Sequence, residues 1–147
     1  LAAARSGALG PEAMARSHGA LIDASRPFDA LRTNRSTPRD LTGLLRAVWK
    51  DEAAPPEACA ELRAAMGQQV STRLGRELPD EATLAAKTGS LTGRVRNEAG
   101  LITHGDGRAF AVAVSTRAHA PFRRASAIEA EMARAAASAI AVLRTLP

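Results

Sequence analysis

The sequence predicts an α/β protein of the α+β kind: a helical segment, then a three-stranded antiparallel sheet, then a C-terminal helix packed on that sheet. Three observations carry this. Proline-led helix starts at Thr37-Pro38 and Pro55-Pro56 occupy the first half. Beyond Leu78-Pro79-Asp80 the apolar period drops to two, on either side of Gly105-Asp106-Gly107. After Pro121 a helical period returns, with Ile128, Met132, Ala136, Ala139, Ile140 and Leu143 on one stripe.

Taken in order, residues 1–9 are alanine-rich and read as the tail of a helix closed by Gly10. Pro11 and Glu12 start a short helix that runs to about Ser17. Residues 19–36 hold no sustained period and contain turn formers at Ser25-Arg26-Pro27-Phe28-Asp29 and Thr33-Asn34, so a long loop is expected. Thr37 as N-cap, Pro38 at the first helical position and Asp40 three residues after the cap begin a helix with Leu41, Leu44, Leu45 and Val48 on one face. Pro55-Pro56 begins another, carrying Cys59, Leu62 and Met66 up to Gly67, and a short helical turn is expected over residues 70–74. Residues 83–88 read as a strand ending at Gly89. Residues 94–102 alternate, Val95, Ala99 and Leu101 against Arg96, Glu98 and Ile102, as a strand with one wet face would. Residues 109–116 form the most apolar strand, and Ser126 with Glu129 reads as a capping box for the last helix.

At 147 residues with 46% apolar content the chain suffices for one domain, but aromatics reach only 3%, so its core rests on aliphatic and alanine packing. A net charge of +5 permits anionic partners. The basic residues are scattered and do not interleave with aromatics, which argues against a nucleic-acid surface. No run of apolar residues is long enough to span a membrane. Cys59 has no second cysteine to pair with, and His18, His104 and His119 are too far apart in sequence for ligand spacing. No metal or cofactor is therefore expected, and His104, in a hairpin, should be exposed. The chain starts at Leu1 and not Met, which reads as a processed or truncated piece.

The chemistry concentrates at Lys87-Thr88-Gly89-Ser90. Lysine occurs only at Lys50 and Lys87, the remaining basic residues being arginine, so a compact ammonium at Lys87 stands out. An ammonium, a hydroxyl and a backbone position without a side chain, set along a strand, suit an anionic acyl ligand near an oxyanion hole. By itself a K-T-G tripeptide is as compatible with a surface turn.

Lys87-Thr88-Gly89 at a strand end, followed by Gly93, Arg96, Asn97 and Glu98, resembles the penicillin-recognising serine hydrolases, class A β-lactamases above all. The helix at Thr37-Pro38, the Leu78-Pro79 before the strand, the Gly-Asp-Gly hairpin and the long last helix come in that family's order. Leu9-Gly10-Pro11-Glu12 is similar to a segment that follows its second motif, so the likeness covers nearly the whole chain. The resemblance implies part of a β-lactamase/transpeptidase-like fold, with residues 1–78 a helical lobe whose 19–36 loop stands at the Ω-loop, and residues 79–147 a sheet-and-helix lobe. It implies that Lys87 supplies the positive potential and helps to bind a substrate carboxylate. Thr88 would hydrogen-bond that carboxylate, and Gly89 would let the substrate lie against the strand. The backbone N–H of Ser90 would be one of two oxyanion donors. Arg96 stands where some members place a second carboxylate-binding guanidinium. A solvent-facing strand arginine is the plain alternative.

The departures matter as much. No serine has a lysine three residues later, S-D-N and Y-x-N are missing, and the chain has no tyrosine. The 19–36 loop holds no glutamate, only Asp23 and Asp29. The expectation is therefore a serine β-lactamase-like hydrolase of which this chain supplies the recognition strand but not the nucleophile, so that alone it has no acyl-transfer activity. A non-catalytic module that binds or senses a β-lactam or peptidoglycan peptide is the alternative. A third is a basic interaction domain with a coincidental K-T-G. The expected partners are a small-molecule carboxylate and, at an unpaired strand edge, a second copy, a domain swap or a complementing N-terminal polypeptide. The resemblance implies a secreted or periplasmic setting for most members, and no signal peptide is visible in this chain.

Overall fold

The computed structural model of the chain describes residues 10–24, 31, 35–91, 95–118 and 125–146. Among these residues, four helices and three strands follow in the order α1 (Pro11–Ala24), α2 (Pro38–Trp49), α3 (Pro56–Gly67), β1 (Thr83–Leu91), β2 (Val95–Thr103), β3 (Ala109–Arg117) and α4 (Ala125–Arg144), with a 3-10 turn at Leu74–Glu77 before β1. The sheet is antiparallel in the order β1-β2-β3.

Local chemistry sets the start of α2. Thr37 Oγ1 accepts from the Asp40 N–H at 3.1 Å, and an Asp40 carboxylate oxygen accepts from the Thr37 N–H at 2.8 Å, a closed capping box with Pro38 at the first helical position. The hairpin between β2 and β3 closes as expected, with Gly107 at φ +81° and its N–H bonded to His104 O.

β2 is the centre of the molecule. Its odd-numbered residues, with Ala85 of β1 and Ala109 and Ala111 of β3, face α2 and α3, where Leu101 lies against Leu45, Val48, Trp49 and Met66. On the even face, Leu84, Val112, Val114 and Ile128 surround the buried cluster of Leu74, Met132 and Ala136, joining α4 and the 3-10 turn to the sheet. Gly100 of β2 is required by close approach. A Cβ there would lie 2.5 Å from Ala86 Cβ and 2.7 Å from Ala85 O.

Several expectations change. α1 runs on to Ala24 through Gly19, so the expected loop begins later, and most of it, like residues 1–9, lies outside the described residues. The helical turn expected over residues 70–74 forms instead at Leu74–Glu77. β1 does not stop at Gly89. It continues through Ser90 to Leu91, paired with β2 throughout, because Arg96 and Val95 continue the ladder opposite them. β2 has no wet face, since Glu98 and Ile102 are as buried as Leu101. His104 is buried, not exposed, edge-on to the Phe110 ring at 5.8 Å between centroids. α4 begins at Ala125, which puts Ser126 inside its first turn, and Glu129 serves arginines and not a cap. Ala139 and Leu143 of the predicted stripe are exposed, and Ala133 is buried in their place.

Candidate functional site

Lys87, Thr88, Gly89 and Ser90 lie along β1, an edge strand of the described sheet. Side chains alternate, so Lys87 and Gly89 point to the α2/α3 face and Thr88 and Ser90 to the α4 face. Backbone groups alternate as well. The Thr88 N–H donates to Gln69 Oε1 at 3.0 Å and so points away from β2. Two residues on, the Ser90 N–H points to the same outer side. Lys87 is exposed and its Nζ donates to Thr88 O at 2.8 Å. An ammonium and an outward N–H thus share one open edge.

Behind this edge lies a set of groups whose convergence the sequence reading did not foresee, although it had named Arg96. Arg73, 6% exposed, donates through Nη2 to Ser90 Oγ at 2.7 Å, through Nη1 to Asn97 O at 2.8 Å and through Nε to Glu129 at 3.2 Å. Arg96 sits opposite Ser90 in the register and donates to the same Glu129 oxygen at 2.9 Å, and Arg76 donates to the other oxygen at 2.7 Å. Three guanidiniums therefore converge on one carboxylate of α4, and together with Lys87 they leave the neighbourhood of Ser90 electropositive. Arg96 is brought beside Ser90 and Arg73, on the face away from Lys87, and is held from behind by Glu129.

Glu98 ties this cluster to the fold. Its side chain is 1% exposed, and one oxygen accepts the N–H of Arg73 at 2.6 Å and of Leu74 at 2.8 Å. That carboxyl holds the entry to the 3-10 turn and so sets where the Arg73 guanidinium can reach. Its other oxygen lies 3.5 Å from Gln69 Nε2. Asn97, part of the motif, accepts the Thr116 N–H at 3.1 Å and steadies β3.

No signal in periodicity or spacing could have found Gln69 or Arg73, since they reach β1 at residues 19 and 17 positions further along the chain. Glu98 was visible but misread, because a buried charge on an alternating strand looks the same as a wet one. Asp29 and His119 lie outside the described residues, and Asp23 is carried by α1. Among the described residues no group of three or more His, Cys, Asp or Glu side chains could hold a metal ion, and no helix is long and apolar enough to cross a membrane.

A family model described as the beta-lactamase enzyme family matches residues 8–141. The chain is 36% identical over 122 residues to the beta-lactamase regulatory protein BlaB of Streptomyces cacaoi, covering 74% of this chain and 39% of that protein. Among solved structures, the TLA-1 extended-spectrum β-lactamase is 26% identical with a TM-score of 0.68, over 80% of this chain and 45% of its own. A variant of PBP-A, solved as an acyl-enzyme complex with penicillin G, is 27% identical with a TM-score of 0.64, over 76% of this chain and 42% of its own. The chain thus spans less than half the length of each of these relatives.

Proposed function

The chain belongs to the β-lactamase enzyme family, and from that membership we propose that it forms the recognition wall of an acyl-serine hydrolase site while the nucleophile comes from outside these 147 residues. The observation that carries this is the outward-facing Ser90 N–H on a strand edge flanked by Lys87 and backed by Arg73. In the complete site a serine attacks an amide or ester carbonyl of a β-lactam or related substrate, the C–N or C–O bond breaks as the serine's proton passes to the leaving nitrogen or oxygen, and water then releases the acyl group from the serine. The oxygen that gains charge accepts from the Ser90 N–H and from the nucleophile's own N–H. Lys87 and Thr88 hold the substrate's carboxylate, the guanidinium cluster behind Ser90 adds positive potential with Arg96 as its member on the neighbouring strand, and Gly89 leaves room for the ligand beside the strand. Because no serine stands three residues before a lysine, this chain alone performs recognition without reaction.

A second reading has its own support: BlaB, a curated relative at 36% identity, is named as a regulatory protein. In that reading the same edge binds a β-lactam or peptidoglycan peptide reversibly and the complete protein senses it. Either way, β3 is paired only with β2 among the described residues, and its outer edge supports pairing with a complementing polypeptide, a swapped segment or a second copy.

The test is incubation of the chain with penicillin G, read by intact mass and by the amide resonances of β1. Recognition without reaction gives saturable shifts at Ser90, weakened in Lys87→Ala, with no covalent adduct. A stoichiometric acyl mass overturns the missing nucleophile, and no binding at all overturns the recognition wall. The residues encoded before Leu1 separate the two readings. An S-x-x-K followed by S-D-N or Y-x-N there supports the hydrolase.

A further inference from the structure

An extended ligand pairs with a strand edge through outward N–H and C=O groups, which on β1 recur at Leu84, Ala86, Thr88 and Ser90. At Thr88 both are already engaged. The N–H donates to Gln69 Oε1 at 3.0 Å, and the carbonyl accepts from Lys87 Nζ at 2.8 Å. Lys87 is an exposed, flexible side chain, but Gln69 is anchored. Its Nε2 donates to Ser71 O at 3.0 Å and approaches Glu98 Oε1 at 3.5 Å, and Glu98 is itself held by two backbone N–H groups of the 3-10 turn. A flipped amide would set its NH2 against the Thr88 N–H and its oxygen against two acceptors, so hydrogen-bond chemistry keeps the carbonyl on the strand. The chain here turns the apolar Val70 side chain fully outward while it turns Gln69 in against the strand.

We infer that Gln69 is a specificity-determining residue: by occupying the Thr88 rung of β1 it confines ligand pairing to the Ser90 rung. The site then takes a compact carboxylate-bearing acyl ligand and refuses an extended peptide that would run along the strand past Thr88. This deepens the proposed function and rests on its reading of Ser90 as the ligand-facing rung. A peptide reaching Ala86 would have to displace the Gln69 carbonyl, and loss of that one anchored bond is worth roughly tenfold in affinity.

The experiment uses the full chain, isotopically labelled, with Gln69→Met and Gln69→Ala. Each form is titrated with penicillin G and with a blocked six-residue peptide of alternating valine and threonine. In the wild type the Thr88 amide should exchange slowly with solvent and the peptide should leave β1 resonances unmoved. In either variant Thr88 exchange should rise roughly tenfold, and the peptide should shift Ala86, Thr88 and Ser90 together. The inference is overturned if the wild type pairs with the peptide as tightly as the variants, or if Thr88 exchange is unchanged in a folded variant. Should both variants unfold, the wild type decides: peptide shifts along β1 refute the plug, and a protected Thr88 with no peptide shifts supports it. If penicillin G moves Ser90 in no form while the exchange and peptide results hold, the proposed function falls and the Gln69 plug stands.

Discussion

Replacing Glu98 with alanine should loosen the link between β2 and the Arg73 cluster. In the folded chain one Glu98 oxygen satisfies the Arg73 and Leu74 N–H groups at 2.6 and 2.8 Å in a setting 1% exposed. The shortened side chain leaves both donors buried without an acceptor. At about 1–3 kcal/mol for each orphaned donor, the loss comes to about 4 kcal/mol, a large share of the roughly 5–15 kcal/mol that holds a domain together. Glu98→Gln keeps an oxygen where both N–H groups need it and should cost only about 1 kcal/mol. Urea unfolding of the two variants measures this, and in a melt the alanine variant should fall by roughly 8–16 °C. Equal losses in the two variants, or a Glu98→Ala loss below about 1 kcal/mol, would show that the carboxyl does not hold the 3-10 turn.

Gly100→Ala puts a methyl group 2.5 Å from Ala86 Cβ and 2.7 Å from Ala85 O, so denaturant titration should show a loss of about 1–3 kcal/mol or more. Gly89→Ala is the counterpart: its nearest neighbour would be Asn97 Cβ at 3.9 Å, so stability should stay within about 0.5 kcal/mol while penicillin G binding weakens, as calorimetry would show. The Asp40 carboxyl is held below its ordinary value of 3.8, first by the Thr37 hydroxyl and then by the Thr37 N–H. A lowered folded-state value means that this support is complete above 3.8 and is lost as the pH falls through the lowered value. Amide exchange at the start of α2 should therefore rise in that acid range, and Thr37→Val should abolish most of the pH dependence and cost about 1 kcal/mol. The outer edge of β3 should make the chain self-associate, visible as concentration-dependent sedimentation. A monodisperse monomer at high concentration would count against it.

What could be read from the sequence was what neighbours in the chain decide. Thr37, Pro38 and Asp40 lie within one turn, so their capping box was legible, as was the hairpin at Gly105-Asp106-Gly107. The alternation of β2 and β3 gave the correct faces, though not their surroundings. Arg96 and Glu98 looked like a wet face because charge is the usual sign of solvent, whereas here Glu98 caps a 3-10 turn about 25 residues away in the chain. Glu129 fitted a capping box by spacing and was claimed instead by Arg73, Arg76 and Arg96, whose arrival depends on how α4 packs. The Lys87-Thr88-Gly89-Ser90 strand was legible as a stretch. Gln69, which meets it, was not, because a polar loop residue carries no pattern that names a distant backbone N–H.

The register of the sheet has a consequence for how this chain can change over time. Folding depends most on β2, closed on both faces, where Gly100 and Glu98 tolerate little. In the proposed site, ligand contact is left to the outer side of β1, where side chains that meet the strand from outside, as Gln69 does at the Thr88 N–H, touch no rung of the β2 ladder. Ligand preference can thus drift by single replacements without first destabilising the fold, and a variant library restricted to these outer positions should stay folded while its binding diversifies.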